Sequence, residues 1–241
     1  MLKEALEYIV GLKSNQVYEI GGETYSERPL VRVAPHVDRP ELIEVCGLDS
    51  VAQMIRAEFP RVKKEMGQIY VHVKRYNEVL VFTGWDGLYE RNYLYHAEAV
   101  DVPGFHEGFR EYEKAIIELR SGFAPGEGVD YLLNLLGRIS RVDSVVTEDN
   151  GVSQSVEARS GIALKKMEEI RPRVKLRPFR TFLEVEQPES EFLVQLDKEG
   201  RVGLFEADGG MWKIAAKNAI VGYFNDALED LVDDGSVIVM R

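Results

Sequence analysis

Ile69-Tyr70-Val71-His72-Val73, then the turn Tyr76-Asn77-Glu78, then Val79-Leu80-Val81-Phe82 is the stretch that decides how this chain folds. β-Branched and aromatic residues fit a pleated, half-buried surface, and the polar break between the two runs reverses the chain. A third strand through residues 89–97 completes a three-stranded antiparallel meander.

Upstream of this meander, Asp49 or Ser50 is placed to cap a short helix carrying Val51, Met54, Ile55 and Phe59 on one face and ending at Pro60. Residues 29–40 hold three prolines and read as an irregular connection. Before them, Val17–Ile20 and Glu23–Tyr25 flank Gly21-Gly22, a tight hairpin because glycine supplies positive φ. Residues 2–12 set Leu2, Leu6, Ile9 and Val10 at helical spacing.

Downstream, Phe105, Phe109, Tyr112, Ile116 and Leu119 form one helical stripe, and Val129, Leu132, Leu133, Leu136 and Ile139 a second. The glycine-rich 122–128 stretch joins them. A DNA-reading role for this pair is not indicated, since the second helix exposes only Arg138 as a cation. The pattern then turns to strands over 142–147, 152–158, 162–167, 178–185, 192–196 and 202–207. A helix from 211 to 232 carries Ala216, Ile220, Tyr223, Ala227 and Leu231, Gly235 ends it, and Val237-Ile238-Val239-Met240 reads as a last strand. The expected fold is α+β: antiparallel sheets, a central helical pair, and a C-terminal helix packed on the second sheet. The chain reads as two regions, 1–100 and 104–241, or as one domain.

Bulk properties narrow the function classes. With 241 residues, 45% hydrophobic and 29% charged, the chain buries a core readily. A net charge of −11 disfavours sequence-independent nucleic-acid binding by the whole surface, while leaving room for a local basic patch. The single cysteine, Cys46, has no internal disulfide partner, and its apolar neighbours suggest a buried structural thiol in a reducing compartment. The start of the chain mixes acids with apolar residues, unlike a signal peptide, and no run spans a bilayer. These features suggest a cytoplasmic protein.

Asn150-Gly151-Val152-Ser153-Gln154-Ser155-Val156, Pro178-Phe179-Arg180-Thr181-Phe182 with Glu184–Ser190, and Leu204-Phe205-Glu206-Ala207-Asp208-Gly209-Gly210 with Trp212 form three blocks. They resemble the YfdQ-like proteins of phages and prophages, a family of unknown function. The resemblance spans roughly 48–232 and is sharpest over 150–224. It implies a phage or prophage origin and a place in an infected or lysogenic bacterial cell. It carries over no activity and no catalytic residues.

Two constellations bear on chemistry. If the 192–207 hairpin turns through two or four residues, Glu191 faces Glu206 and Glu189 faces Asp208. All four acids then share one face and ask for a cation, and a divalent metal there would activate water for phosphodiester hydrolysis. A three-residue connection shifts the register by one and moves Glu206 and Asp208 to the other face. Asp208-Gly209-Gly210 also reads simply as the turn and cap of the last helix. No other cofactor is indicated.

The second constellation is basic. Residues 159–180 carry Arg159, Lys165, Lys166, Arg171, Arg173, Lys175, Arg177 and Arg180 against Glu168 and Glu169, eight cations to two anions. Arg171, Arg173, Lys175 and Arg177 recur at every second residue, so an extended segment aligns them at intervals of about 6.6–7 Å, suited to successive phosphates of a single strand. The plain alternative is a solvated edge strand, or one paired with the acidic residues Asp226, Glu229, Asp230, Asp233 and Asp234. The histidines His36, His72, His96 and His106 lack metal-ligand spacing, although His72 and His96 could meet across a sheet. No phosphate loop, dinucleotide fingerprint or nucleophile elbow is present.

Three functions follow from these readings. The leading one is a phage accessory protein acting by binding, as a self-associating scaffold or with a protein partner. The second is a nucleic-acid or nucleotide binder working through the basic stripe, and the third a metal-dependent nuclease or phosphodiesterase.

Overall fold

The computed structural model describes residues 3, 5, 17–26, 39–87, 89–139, 144–149, 154–160, 163–197 and 201–241. The helix expected over 2–12 and the connection over 29–40 lie outside these residues, apart from Lys3, Ala5, Arg39 and Pro40. The chain divides into two compact units, Met1–Arg39 and Pro40–Arg241. In the first, strands β1 (Val17–Ile20) and β2 (Glu23–Ser26) pair antiparallel across Gly21 and Gly22, whose φ angles of 65° and 82° are those of the expected tight turn.

The second unit runs in order through β3 (Ile43–Val45), α1 (Leu48–Met66), β4 (Ile69–Arg75), β5 (Glu78–Trp85), β6 (Arg91–Glu98) and β7 (Gly108–Arg110). Helices α2 (Tyr112–Ser121) and α3 (Glu127–Ile139) follow, then β8 (Ser144–Asp149), β9 (Gln154–Ser160), β10 (Ala163–Ile170), β11 (Arg173–Leu176), β12 (Ser190–Leu196) and β13 (Val202–Glu206). Helices α4 (Trp212–Ala227) and α5 (Glu229–Asp233) and strand β14 (Val237–Met240) complete it. Helices and both antiparallel and mixed sheets together make an α+β fold.

The meander β4-β5-β6 is the centre of a five-stranded sheet in the order β14-β4-β5-β6-β3. Its outer strands β14 and β3 are parallel to β4 and β6, which makes the sheet mixed. The period-2 alternation works as the sequence suggests: Ile69, Val71 and Val73 are buried while Tyr70 and His72 between them are only half-buried. The buried face packs on Leu48, Val51 and Ile55 of α1 and on Ile220, Phe224 and Leu228 at the other end of the chain. A second sheet, β11-β12-β13-β7, is antiparallel throughout and buries Val174, Leu176, Phe192 and Val194 against Leu119, Leu132 and Leu136 of the helical pair. Strands β8, β9 and β10 form a separate antiparallel ladder.

The packing corrects several expectations. The C-terminal helix lies on the first sheet, because Ala216, Ile220 and Phe224 fall four residues apart and the last two face the valines of the meander. It also breaks at Leu228 (φ −124°), leaving α5 as a separate short helix. Helix α1 does not stop at Pro60. That residue sits on the solvent side, and the turns beyond it are held by buried Val62 and by Lys63, whose amine reaches the Ser236 hydroxyl at 2.9 Å. Phe105 and Phe109 are not helical: Phe109 pairs with Gly203 in β7, and α2 begins only at Tyr112.

Residues 178–185 are a loop, since their backbone groups find a partner other than a neighbouring strand, as described below. Cys46 is exposed, because β3 ends at Val45 and the chain turns toward α1 there. No helix among the described residues is long and apolar enough to cross a membrane.

Strand β14 is the element whose sequence gave least choice: four apolar residues that need a sheet. It gains one in β4, with Val237 only 1% exposed and the Ser236 carbonyl accepting from Ile69 N–H at 3.0 Å. Deleting residues 236–241 should lower stability by at least about 2 kcal/mol, the worth of one buried valine with its ladder bonds, and lower the melting temperature accordingly. An unchanged thermal melt would show that β14 is dispensable.

Candidate functional site

The register of the β12-β13 hairpin comes first, because both constellations hang on it. Leu196 pairs with Val202, and Asp197 N–H donates to the Arg201 carbonyl at 3.1 Å, so the connection is the three-residue one, over residues 198–200, which lie outside the described set. Glu206 therefore stands opposite Phe192, away from Glu191. The four acids split into two pairs, and among the described residues no group of three or more His, Cys, Asp or Glu side chains is arranged to hold a metal.

Glu189 and Glu191 meet the basic stripe. β11 is the edge strand of its sheet, and its alternation exposes Arg173 and Lys175 while burying Val174 and Leu176. Across from it, Glu191 accepts from Arg173 at 2.9 Å and Glu189 from Lys175 at 2.9 Å, and further along Glu186 accepts from Arg177 at 2.7 Å. Arg171 meets no carboxylate among the described residues and lays its guanidinium 4.8 Å from the Tyr131 ring centre. The extended geometry expected of the stripe is present over Arg173–Leu176, and Arg173 and Lys175 are matched by the same two acids that supplied half of the supposed metal site. The acidic end of the chain pairs elsewhere, Asp230 with Arg56 at 2.8 Å and Asp234 with Lys63 at 3.4 Å.

Glu206 and Asp208 belong to a different centre, built around Arg180. The loop over residues 177–189 is closed by the Gln187 amide. Its oxygen accepts from Arg180 N–H at 3.0 Å and Thr181 N–H at 3.3 Å, and its nitrogen donates to the carbonyls of Phe182 and Val185 at 3.0 and 3.3 Å. One side chain thus takes over bonds that a neighbouring strand would have made. From this loop Arg180, 6% exposed, reaches inward. Its Nη1 donates to Glu206 and its Nη2 to the Ser190 hydroxyl, which in turn donates to Asp208 at 2.7 Å.

The guanidinium lies 3.7 Å from the centre of the Trp212 ring, whose indole N–H donates to Glu206 at 3.3 Å. Asp208 also accepts from the N–H groups of Gly210 and Trp212 at 2.9 and 3.2 Å, and so caps the start of α4 as its turn sequence suggests. Burial disfavours the charged forms of Arg180 and Asp208 alike. Arg180 stays below its ordinary pKa despite Glu206 and Asp208. For Asp208 the outcome is reversed, because the Ser190 hydroxyl, the two backbone N–H groups and Arg180 outweigh burial and hold the carboxyl below its ordinary value.

Beside this centre is a cleft of about 270 Å³, where Arg180, Glu206 and Trp212 face Tyr76 and Asn77 of the β4-β5 turn, with Phe105 and His106 at one side. Tyr76 stands edge-on to Trp212 with ring centres 4.7 Å apart. Nε of Arg180 is buried and has no hydrogen-bond partner among the described residues. A second cleft, of about 400 Å³, lies between the basic stripe and the start of α3 and is lined by both signs of charge, Arg171, Arg173, Lys175 and Arg177 with Glu127 and Glu189. His72 and His96 flank Leu80 from opposite sides and so sit two strands apart, with no direct contact expected.

Sequence reasoning named Arg180, Glu206 and Asp208 but assigned them to two separate sites, and placed Trp212 in neither. The signal that joins them is the second and third blocks of the resemblance, which contain Arg180, Gln187, Ser190, Glu206, Asp208 and Trp212. Comparison with known protein families, curated proteins and solved structures gives no match for the chain.

Two outcomes follow from this geometry. Arg180→Ala removes the buried cation that the half-buried Glu206 accepts from and should cost about 3 kcal/mol, the upper end for a hydrogen bond to a charged group. Trp212→Ala should cost a similar ~3–5 kcal/mol, and the double variant less than the sum, because each residue supports the other. Urea melts of the three variants measure this coupling. The second outcome concerns pH. A depressed Asp208 stabilises the fold above its ordinary value of 3.8, and that contribution is lost as pH falls through the lower folded value. The stability advantage of the natural chain over Asp208→Asn should therefore be full near neutrality and vanish in strong acid.

Proposed function

We propose that this chain is an accessory protein of the phage or prophage kind its sequence resembles, acting by binding in the cytoplasm of the bacterial cell. Its ligand seats in the cleft beside Arg180, Tyr76 and Trp212. The observation that carries this reading is the unmatched Nε–H of Arg180. A buried donor without an acceptor costs about 1–3 kcal/mol, and a ligand oxygen beside it recovers that cost. Aromatic walls with a few convergent polar groups are the usual make-up of a small-molecule site. The fitting ligand is small, has a flat face for the rings of Tyr76 and Trp212, and carries an acceptor oxygen for Arg180.

Metal-dependent hydrolysis is less well supported. Glu189 and Glu191 are engaged by Lys175 and Arg173, and Glu206 and Asp208 by Arg180 and Ser190. A divalent ion would have to displace these partners. Phosphate tracking by the stripe meets the same obstacle at Arg173, Lys175 and Arg177.

The chain has two tryptophans, so Trp85→Phe leaves Trp212 as the only indole reporter. In that background, a panel of nucleosides, nucleotides, amino acids and small carboxylates should contain a compound that quenches Trp212 fluorescence saturably and raises the melting temperature. Ligand at 100 times its Kd adds about 2.7 kcal/mol. Arg180→Lys keeps the charge but removes the guanidinium donor, and should abolish both responses. An equal response in Arg180→Lys would place the ligand elsewhere.

A further inference from the structure

The turn between β4 and β5 puts an asparagine beside the Arg180 cleft for no reason of the turn's own. Arg75 pairs with Glu78, so Tyr76 and Asn77 alone make the connection. Asparagine usually occupies such a turn because it tolerates a positive φ or because its side chain bonds the nearby backbone. Neither applies here: Asn77 has no positive φ, and its amide makes no hydrogen bond among the described residues. The backbone holds the turn instead. The Asn77 carbonyl accepts from Ala99 N–H at 3.0 Å, and the Tyr76 carbonyl accepts from the Thr181 hydroxyl. A half-buried amide therefore lines the cleft from a fixed position, with its donors and its acceptor uncommitted among the described residues.

The cleft limits what this amide can meet. Its volume, about 270 Å³, lies below the ~300–1,000 Å³ of sites for drug-sized ligands, so it suits a single ring system. Its charge already leans negative. The Arg180 guanidinium donates to Glu206 and to Ser190, which donates in turn to Asp208, so two carboxylates surround one buried cation. A carboxylate or phosphate entering beside them would add a like charge in a partly buried site, which favours a neutral ligand. The half-buried rings of Tyr76 and Phe105 on its walls favour a flat one.

We infer that Asn77 is the specificity residue of this cleft, and that the ligand it selects is a nucleobase, free or carried by a nucleoside or nucleotide. The inference rests on the reading of the Arg180 cleft as a ligand site. A carboxamide holds donor and acceptor side by side in one plane, and a planar edge with the complementary pair satisfies both at once. Every nucleobase presents such an edge on a neutral ring, and asparagine reads adenine in this way through two hydrogen bonds. Free amino acids bring charged groups, and simple sugars offer hydroxyls without a flat edge. Lys213 bears on what the base is attached to. Its amine lies 5.9 and 5.6 Å from the ring centres of Tyr76 and Trp212 and forms no ion pair among the described residues, so a phosphate held outside the cleft finds a cation there.

The test is calorimetric titration of the full chain with adenosine, guanosine, cytidine and uridine, beside glucose and benzoate. At least one nucleoside should bind saturably, while glucose and benzoate should not. Asn77→Ala removes the amide and should weaken that nucleoside at least about fivefold, the low end of what a bidentate base contact contributes. Its thermal melt should be unchanged, because the amide holds nothing in the fold. The matching 5′-monophosphate separates the sources: tighter binding that Lys213→Ser removes marks the nucleotide, and equal or weaker binding marks the nucleoside or free base. Binding of glucose or benzoate that Arg180→Lys abolishes, with no nucleoside bound, would overturn the inference and leave the cleft reading standing. So would a nucleoside that Arg180→Lys abolishes and Asn77→Ala does not weaken. A ligand indifferent to both substitutions, or no binding by any of the compounds, would overturn the cleft reading as well.

Discussion

The Gln187 side-chain amide is the contact on which the rest of residues 40–241 depends. By bonding four backbone groups between Arg180 and Val185 it turns a segment of strand-like composition into a folded strap. That strap serves both layers. Phe182, 1% exposed, enters the core of the first sheet, and the Thr181 hydroxyl donates to the Tyr76 carbonyl at the β4-β5 turn. Glu184 accepts from Leu48 N–H at 2.7 Å and so supplies the side-chain cap that Gly47 cannot, adding its charge to that of Asp49 in the first turn of α1. On the other side, Arg180 ties the strap to β12 and β13. Without the amide, each of these anchors would have to hold its own stretch of unpaired backbone.

Position 47 shows how tightly the strap is fitted. A Cβ there would sit 2.6 Å from the Glu184 carboxylate, so any other residue would push that carboxylate off the Leu48 N–H it caps; the conflict comes from 137 residues away, and the glycine's own φ of −134° is ordinary. The local sequence points instead to Asp49 or Ser50 as the cap. Asp49 is engaged by the Tyr223 hydroxyl of α4, a second bond between the helices on the sheet. A cap is a demand for an acceptor at a helix start, and local sequence reveals only the acceptors that are nearby.

What was legible in the sequence was whatever two neighbouring elements settle between themselves. The meander, the Gly21-Gly22 turn, β14 and the alternation along β11 follow from side-chain periodicity or from φ alone. What was not legible depended on a third party. The 178–185 stretch has strand composition, but Gln187 outcompetes a strand for its backbone. Helix α1 passes Pro60 because Val62 is buried and because Lys63 and Gln68 reach the chain's last turn, Gln68 donating to the Gly235 carbonyl at 2.6 Å. The last helix chose the first sheet over the second through β14, which returns the chain to β4 and fixes which core the helix must cover.

The two charged constellations fail as separate sites for the same reason, and the failure is informative. A stripe of alternating cations on an edge strand and a run of alternating acids on the next strand are, in an antiparallel pair, a single feature: Lys175 stands directly opposite Glu191, and the register sets the remaining pairs. The exposed ladder contributes little stability, since each pair is open to water, but it keeps an edge strand from recruiting another chain. Once those charges are matched, the groups that stand out are the ones the ladder does not reach. Arg180 follows the same chain of basic residues yet leaves the strand at Pro178, turns inward and exchanges water for Glu206, Ser190 and the face of Trp212. Glu206, Asp208 and Tyr76 all act on its charge, and its Nε still lacks an acceptor among the described residues. A guanidinium has five donors in a fixed plane, and the fold satisfies only those pointing toward β12 and β13. An arginine used purely as a strut between sheets could be replaced by packed apolar side chains at no loss of stability. The unmatched Nε is therefore a cost that the fold bears for a polar strut where packed apolar side chains would also serve.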